Sequence, residues 1–373
     1  MDYQHATILF LLILIFVNLL ENLKRLNREV EFELEERPLV SVLIPARNEE
    51  KNIQNCLISF IRQTYTNLEI IVLDDNSSDN TYEIARNISK HNKNIRVFKG
   101  KKLPLDWTGK NWACHQLSLK AKGKWLLFTD ADTIHQPHSV LKAVCAAVKN
   151  ESDFLSCLPR LIAKTWSEKL YMSIIHFVFA ALIPWKMTNF NHKTKFPFGM
   201  GPFMLIRKKT YWEFGGYEAQ KKAILDDMGL ARLVKENDGA ITILDGTDFV
   251  QLRYYENFRQ LWNGFSKNSF DAVGDSLPFS LIICLVCYFL FVFPYFSLWS
   301  ALESNQSIMI PAVEVALISL IKVLLALHFE SNLIFSLLHP LSVLLALSIL
   351  LNSVRLCLFN KGVEWKERYY PIK

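Results

Sequence analysis

Three short apolar runs, each giving way abruptly to carboxylates or a polar loop, constrain this chain more than any other feature. Leu39–Ile44 is a β-branched run closed by Pro45 and followed by Ala46-Arg47-Asn48-Glu49-Glu50. Leu68–Leu73 runs straight into Asp74-Asp75-Asn76-Ser77-Ser78-Asp79, and Trp125–Phe128 yields at Thr129 to Asp130-Ala131-Asp132. Runs of this length, apolar on both alternating faces, predict strands covered on both sides. The pattern turns helical over Asn52–Gln63, Thr81–Ser89, Trp112–Lys122 and Val140–Lys149, with further strands predicted at Ile95–Phe98 and Phe154–Leu158. Strands alternating with helices predict an α/β fold with a mostly parallel, doubly wound sheet. Such sheets bind ligands at the carboxyl ends of their strands, which is where these carboxylates fall. Helix capping accounts for Ser78 or Asp79 but not for Asp74 and Asp75 ahead of them. Asp130 and Asp132, separated by one small residue, suit a hard cation that leaves positions for phosphate oxygens.

The flanks belong to another environment. With 51% apolar residues and 26 Phe among 373, the chain exceeds what a soluble domain carries, so membrane association is expected. Ala6–Leu20 is apolar except for Thr7 and Asn18, and no small-residue cleavage site follows it. It reads as a retained anchor, slightly short for a full span. Lys24, Arg25 and Arg28 come directly after it and place the next domain in the cytoplasm. Leu170–Trp185 is too short to cross and predicts an interfacial or core helix. Pro278–Leu302, Ile308–Leu327 and Leu333–Leu351 are predicted to span, with Glu314 and Lys322 weakening the middle one. Three such crossings would put the basic residues Arg355, Lys361 and Lys366 outside, against the charge rule, unless one segment is re-entrant. The expected order is an anchor (1–22), a catalytic domain (38–270), membrane helices (278–352) and an interfacial basic and aromatic tail (353–373). The net charge of +6 is spread among acids without a basic stripe interleaved with aromatics, which argues against nucleic acid as a partner. Seven scattered cysteines predict reduced thiols, and Cys284-x-x-Cys287 inside an apolar run reads as two small helix-facing residues.

In their order, Val42–Glu50, Ile71–Asp79 and Phe128–Asp132 resemble the motifs of family 2 glycosyltransferases, which have the Rossmann-like GT-A fold. The resemblance implies that Pro45, Arg47, Glu49, Asp74 and Asp75 bind the nucleoside part of a sugar donor. It also implies that Asp130 and Asp132 hold Mg²⁺ or Mn²⁺ with the donor diphosphate. Leu105–Ala113 is similar to the lipid-glycosylating members, and there Lys110 follows Gly109 as a diphosphate contact: glycine admits close backbone approach and the ammonium offsets charge. Phe198–Ile206 and Phe214–Tyr217 resemble the segment that forms the floor beneath the donor sugar. Ile224–Leu233 is helical in its spacing, so Asp226 and Asp227 fall in a first turn, where the helix dipole favours negative charge. The resemblance puts the catalytic base on Asp227, with Asp226 as the alternative. Inverting transfer needs such a base because the acceptor hydroxyl must lose its proton as it attacks.

Processive members carry Gln-x-x-Arg-Trp downstream, whereas here Arg259 and Trp262 stand at the wrong spacing, which argues against polymer synthesis. Arg259 remains a candidate diphosphate contact and Trp262 a candidate acceptor contact. Val363-Glu364-Trp365-Lys366 resembles the ending of carotenoid (diaponeurosporenoate) glucosyltransferases and of hopanoid-associated relatives. The implied protein is a multi-pass enzyme of the cell membrane with a cytoplasmic catalytic domain. It would move one sugar, glucose on this resemblance, from a UDP-sugar to a lipid acceptor such as a carotenoid or hopanoid. A polyprenyl-phosphate or ceramide-type sugar transferase would share every donor motif. A non-catalytic scaffold would not need Asp75, Asp130, Asp132 and Asp227 all intact.

Overall fold

The apolar runs assemble into one eight-stranded sheet. In a computed structural model that describes residues 3–26, 34, 36–185, 187, 197–304, 306–359, 363–365 and 368–370, the strands are β1 (Val40–Ala46), β2 (Leu68–Asp74), β3 (Ile95–Lys99), β4 (Trp125–Phe128), β5 (Thr133–His135), β6 (Phe154–Leu161), β7 (Met204–Arg207) and β8 (Ile241–Leu252). Their order is β3-β2-β1-β4-β7-β6-β8-β5. The first four pair in parallel, with β1 between β2 and β4. Past β4 the sheet is mixed: β7 runs antiparallel to both β4 and β6, β8 is parallel to β6, and β5 is antiparallel to β8. The mostly parallel α/β sheet expected from the sequence is therefore present.

Its central strands are buried on both faces, as their unbroken apolar runs require. On one side Val40, Val42, Ile44 and Leu127 pack with Phe60, Val140 and Val144 from the covering helices Ile53–Ile61 and Ser139–Lys149. On the other, Phe128 meets the rings of Tyr211 and Tyr217 at 5.6 and 5.2 Å. Each large apolar side chain taken fully out of water stabilises the fold by about 1.5–3 kcal/mol. Strand β8 had no sequence signal because Asp245-Gly246-Thr247-Asp248 interrupts its alternation. The pairing with β6 slips there, between Pro159 and Arg160, and a side chain on Gly246 would come within 2.6 Å of Cys157 Sγ.

The helix predicted from Trp112 begins earlier, spanning Gly109–Ser118 behind an extended Thr108. Glycine is a poor helix former, so the pattern concealed that Lys110 lies in a first turn. Buried Asn111 fixes the neighbouring chain by donating to the carbonyls of Gln220 and Ala223, both at 3.0 Å.

The chain divides into two compact units, the sheet and its helices forming one (Leu26–Ile162 and Trp185–Arg253). The other gathers Met1–Arg25, Ala163–Pro184 and Tyr254–Lys373. Within it the anchor is one helix over Tyr3–Leu26, longer than its apolar run. Helix Trp166–Phe177, started by a Thr165/Glu168 capping box, loosens into a π turn over Val178–Leu182. The carbonyls exposed there are met by the anchor's amides: Asn22 donates to Ala180 (2.9 Å) and Ile183 (2.7 Å), and Asn18 to Ala181 (2.8 Å). An apolar setting offers no water for those groups, which explains two asparagines in an anchor.

Two charged residues in the apolar C-terminal helices, Glu314 and Lys322, find partners in a similar way. Buried Glu314 pairs with His5 at 3.0 Å, and buried Lys322 donates to the Ser173 carbonyl at 2.6 Å. Among the described residues three helices are long and apolar enough to cross a membrane, Tyr3–Leu26, Met309–His328 and His339–Leu358, or four if the pair Phe258–Ala272 and Leu277–Phe291, bent by 111°, counts as one. The predicted span Pro278–Leu302 is instead two shorter helices, Leu277–Phe291 and Phe293–Glu303. Pro294 lacks the N–H that would continue the first of them, and its ring crowds the preceding turn. The segment predicted at Leu333–Leu351 starts as a separate short helix, Leu333–Leu337, and restarts at His339 ahead of Pro340.

Candidate active site

Strands β1, β2 and β4 lie side by side, and their carboxyl ends bring the motif loops together. Pro45 lies opposite Leu73 next to the last residue of β1, and beyond the strand the loop is laced to the one after β2. Arg47 Nη1 donates to the carbonyls of Asp75 (2.7 Å) and Asn76 (2.8 Å). The amide N–H groups of Asn48, Glu49 and Glu50 donate to Ser77 Oγ (3.0 Å), Thr81 Oγ1 (2.7 Å) and Asp79 Oδ2 (3.1 Å). Asn48 and Asn76 hold left-handed backbone, φ 52° and 54°, which asparagine tolerates better than most residues. Arg47 thus shapes the loop, and buried Glu49 accepts from Asn52 at 2.7 Å.

Asp74 and Asp75 are buried at the head of this loop pair. Asp74 Oδ2 accepts the Ser77 N–H at 3.4 Å, while its Oδ1 is buried without a hydrogen-bond partner. A buried carboxylate oxygen left over in this way calls for a donor.

Beyond β4 the charged groups converge on one glycine. Lys110 Nζ lies 2.8 Å from Asp130 Oδ1 and 3.2 Å from Asp226 Oδ1. Burial works against the ammonium, but Asp130 and Asp226 outweigh it and hold its pKa well above the ordinary lysine value. A Cβ on Gly201 would sit 3.0 Å from Asp130 Oδ2, 3.1 Å from Lys110 Nζ and 3.7 Å from Asp227 Oδ2. Only glycine lets the backbone pass so near these groups. The Gly201 N–H in turn donates to Asp227 Oδ2 at 2.9 Å, and the Met228 N–H to Oδ1 at 2.8 Å.

The two adjacent acids differ. Asp226 is buried and occupied: Oδ2 accepts the Tyr217 hydroxyl at 3.0 Å and Oδ1 faces Lys110. Asp227 lies in the first turn of helix Asp226–Glu236, and burial, then the charge of Asp226, raise its pKa to about 6 against the pull of Lys110 and the two N–H groups. A carboxylate poised near neutrality can take a proton from a substrate hydroxyl. Among the described residues no group of three or more His, Cys, Asp or Glu could hold a metal. Asp130 and Asp132 supply two carboxylates, one of them already paired with Lys110, so a cation held there would need substrate oxygens and water to complete its shell.

Behind the Asp130–Asp132 turn lies a buried cluster that the sequence reading did not single out. Thr129 Oγ1 donates to the Pro202 carbonyl (2.8 Å) and Thr133 Oγ1 to that of Asp130 (2.7 Å), and both hydroxyls are 3.0 Å from His135 Nε2. Burial alone drives the His135 pKa down to about 3, so the ring is neutral. Ser156 on β6 steadies the same glycine loop, accepting from Met200 N–H (2.9 Å) and donating to the Phe203 carbonyl (2.8 Å). No local pattern announces these residues; each gains its role from a partner distant in sequence. Arg259 and Trp262 belong to the other compact unit, on helix Phe258–Ala272.

Residues 41–215 match the family described as Glycosyl transferase family 2. The 4,4'-diaponeurosporenoate glycosyltransferase of Staphylococcus aureus (strain USA300) is 26% identical over 339 residues, which cover 89% of this chain and 88% of that protein. The same enzyme of strain MRSA252 is 26% identical over the same shares. Among solved structures, the mannosyltransferase PcManGT from Pyrobaculum calidifontis, in complex with GDP-Man and Mn2+, superimposes with a TM-score of 0.55 at 15% identity, over 96% of this chain and 99% of that one. That last likeness is one of fold.

Proposed function

We propose that this chain, which belongs to glycosyl transferase family 2, transfers a single sugar, glucose, from its UDP conjugate to a lipid hydroxyl at the cytoplasmic face of the membrane, with inversion. The observation that carries the reading is the convergence of Asp130, Lys110 and Asp227 on Gly201 at the carboxyl end of β4, with Asp226 paired to Lys110. A scaffold gains nothing from gathering three carboxylates, one of them buried, about one lysine and a glycine that keeps the space open. In this reading Asp74 and Asp75 receive the nucleoside, the buried Asp74 Oδ1 accepting a donor from it. Pro45, Arg47 and Glu49 frame that pocket, and Lys110 answers the diphosphate charge. Asp130 and Asp132 would hold Mg²⁺ or Mn²⁺, the latter present in the mannosyltransferase of similar fold. A cation held by these two carboxylates would supply positive charge against the diphosphate.

Asp227 takes the acceptor proton as the oxygen attacks the anomeric carbon. The new C–O bond forms while the bond to the diphosphate breaks on the opposite face, and UDP leaves. A base with a pKa of about 6 serves an acceptor hydroxyl, which must lose a proton, whereas a carotenoid carboxylate would attack without one. The apolar helices and the relatives acting on 4,4'-diaponeurosporenoate support a lipophilic acceptor of the carotenoid or hopanoid type. Purified protein given radiolabelled UDP-sugars and a total membrane lipid extract tests this. Label from UDP-glucose in a neutral or carotenoid lipid is the expected result. Label in a polyprenyl phosphate or ceramide would move the acceptor class, and no labelled lipid from any UDP-sugar would end the reading.

A further inference from the structure

The geometry points to His135 as a positioning residue, whose Nε2–H ties the turn bearing Asp130 to the glycine loop that holds Asp227. The argument is a count of protons. The hydroxyls of Thr129 and Thr133 reach the carbonyls of Pro202 and Asp130 and lie 2.8 Å from each other, so their two protons face three acceptors before the ring is counted. Both hydroxyl oxygens nevertheless lie 3.0 Å from His135 Nε2. A hydrogen on Nε2 supplies the donor this cluster is short of and is shared between the two oxygens. The opposite tautomer would bury an N–H at Nδ1, which has no partner, and buried orphan donors are rarer than orphan acceptors.

One imidazole N–H therefore organises two hydroxyls, and each hydroxyl grips one loop. The Asp130 carbonyl belongs to the turn assigned to the donor diphosphate. The Pro202 carbonyl follows Gly201, whose N–H holds Asp227. The ring itself is fixed by Phe60 and Phe203, with centroids at 4.3 and 5.7 Å. The clamp sets the separation between base and donor, and a misplacement of about 1 Å in such a separation can cost roughly 10²-fold in rate.

This inference rests on the proposed transfer reaction, and its test keeps the two apart. His135→Phe retains an aromatic ring but removes the N–H, whereas His135→Gln returns an amide N–H without the ring. The expected result is a kcat roughly 10-fold or more below wild type for the phenylalanine variant, at a donor KM within about threefold, and recovery to within about threefold of wild-type kcat in the glutamine variant. A phenylalanine variant with wild-type kcat, or a glutamine variant equally impaired, would overturn it, because ring packing alone would then explain the residue. Should His135→Phe fail to fold, Thr129→Val and Thr133→Val each cut one arm of the clamp. A fall in kcat in both supports the inference and wild-type kcat in either overturns it. If the wild-type protein transfers no sugar, the failure belongs to the proposed reaction, and amide hydrogen exchange reads the clamp directly. Faster exchange over 129–133 and 200–203 in His135→Phe than in His135→Gln supports it, and equal exchange refutes it.

Discussion

Asp227→Asn separates catalysis from structure, because the two consequences can be worked out with opposite signs. The carboxylate accepts the N–H groups of Gly201 and Met228. An amide keeps its oxygen for one of them and turns an NH₂ toward the other, losing one hydrogen bond at a cost of about 1–3 kcal/mol. Against this stands the cost of the charge. The rise in pKa from 3.8 to about 6, due first to burial and then to Asp226, means that the unfolded chain loses this proton at lower pH than the folded one. Stability is therefore lost as pH rises from about 4 to about 6, by about 3 kcal/mol at about 1.4 kcal/mol per pH unit. The neutral amide escapes that loss. The two terms offset in order of magnitude, so the thermal midpoint at neutral pH should match or slightly exceed that of wild type.

Turnover should behave otherwise. Removing a general base costs roughly 10²-fold or more in kcat, and since the loss falls on the transition state, the UDP-sugar KM should stay unchanged. Wild-type kcat should fall about tenfold per pH unit below about pH 6, and that limb should vanish in the variant. Single-time-point extraction of labelled lipid, repeated across donor concentration and pH, supplies both quantities, and differential scanning fluorimetry the midpoint. Asp226→Asn is the control: it breaks the 3.2 Å contact with Lys110 and should raise the donor KM more than it lowers kcat. An Asp227→Asn enzyme with more than half of wild-type kcat refutes the reasoning, as does an Asp226→Asn enzyme that is inert beside a normal Asp227→Asn.

Gly201→Ala should lower kcat/KM roughly 10-fold or more with the fold retained, since its methyl group would stand 3.0 Å from Asp130 Oδ2 and 3.1 Å from Lys110 Nζ; circular dichroism beside the transfer assay checks it, and normal activity would show that the centre has room to spare. Excess chelator should abolish transfer and Mg²⁺ or Mn²⁺ restore it, with Asp132→Ala losing donor binding as well as rate; full activity in chelator removes the metal from the mechanism. Lys93→Cys introduces an exposed thiol on the sheet unit of a chain whose own seven cysteines are buried or half-buried. In intact cells it should resist a membrane-impermeant maleimide and react only after lysis; labelling from outside would place the sheet unit on the wrong face for nucleotide sugars.

What the sequence determined by itself was whatever a short stretch decides. A strand covered on both faces must be a continuous apolar run, so β1, β2 and β4 and the carboxylates at their ends were legible from Val42, Leu73, Asp74, Asp130 and Asp132 alone. The parallel half of the sheet followed from the alternation of those runs with helices. Tertiary structure decided the rest, for one physical reason: the groups involved have no local periodicity and take their meaning from partners far along the chain. Lys110 was a diphosphate contact by resemblance alone, and only the fold set Asp130 and Asp226 against it. Gly201 was one of several glycines until Asp130, Lys110 and Asp227 closed around it. His135, a histidine in a three-residue strand, acquired two threonines and through them two loops. Asn18 looked like a blemish in an anchor until it met the Ala181 carbonyl of a loosened helix. The apolar count of Pro278–Leu302 could not show that Pro294 would divide it, because hydropathy measures what a segment dissolves in and not which of its backbone N–H groups are missing.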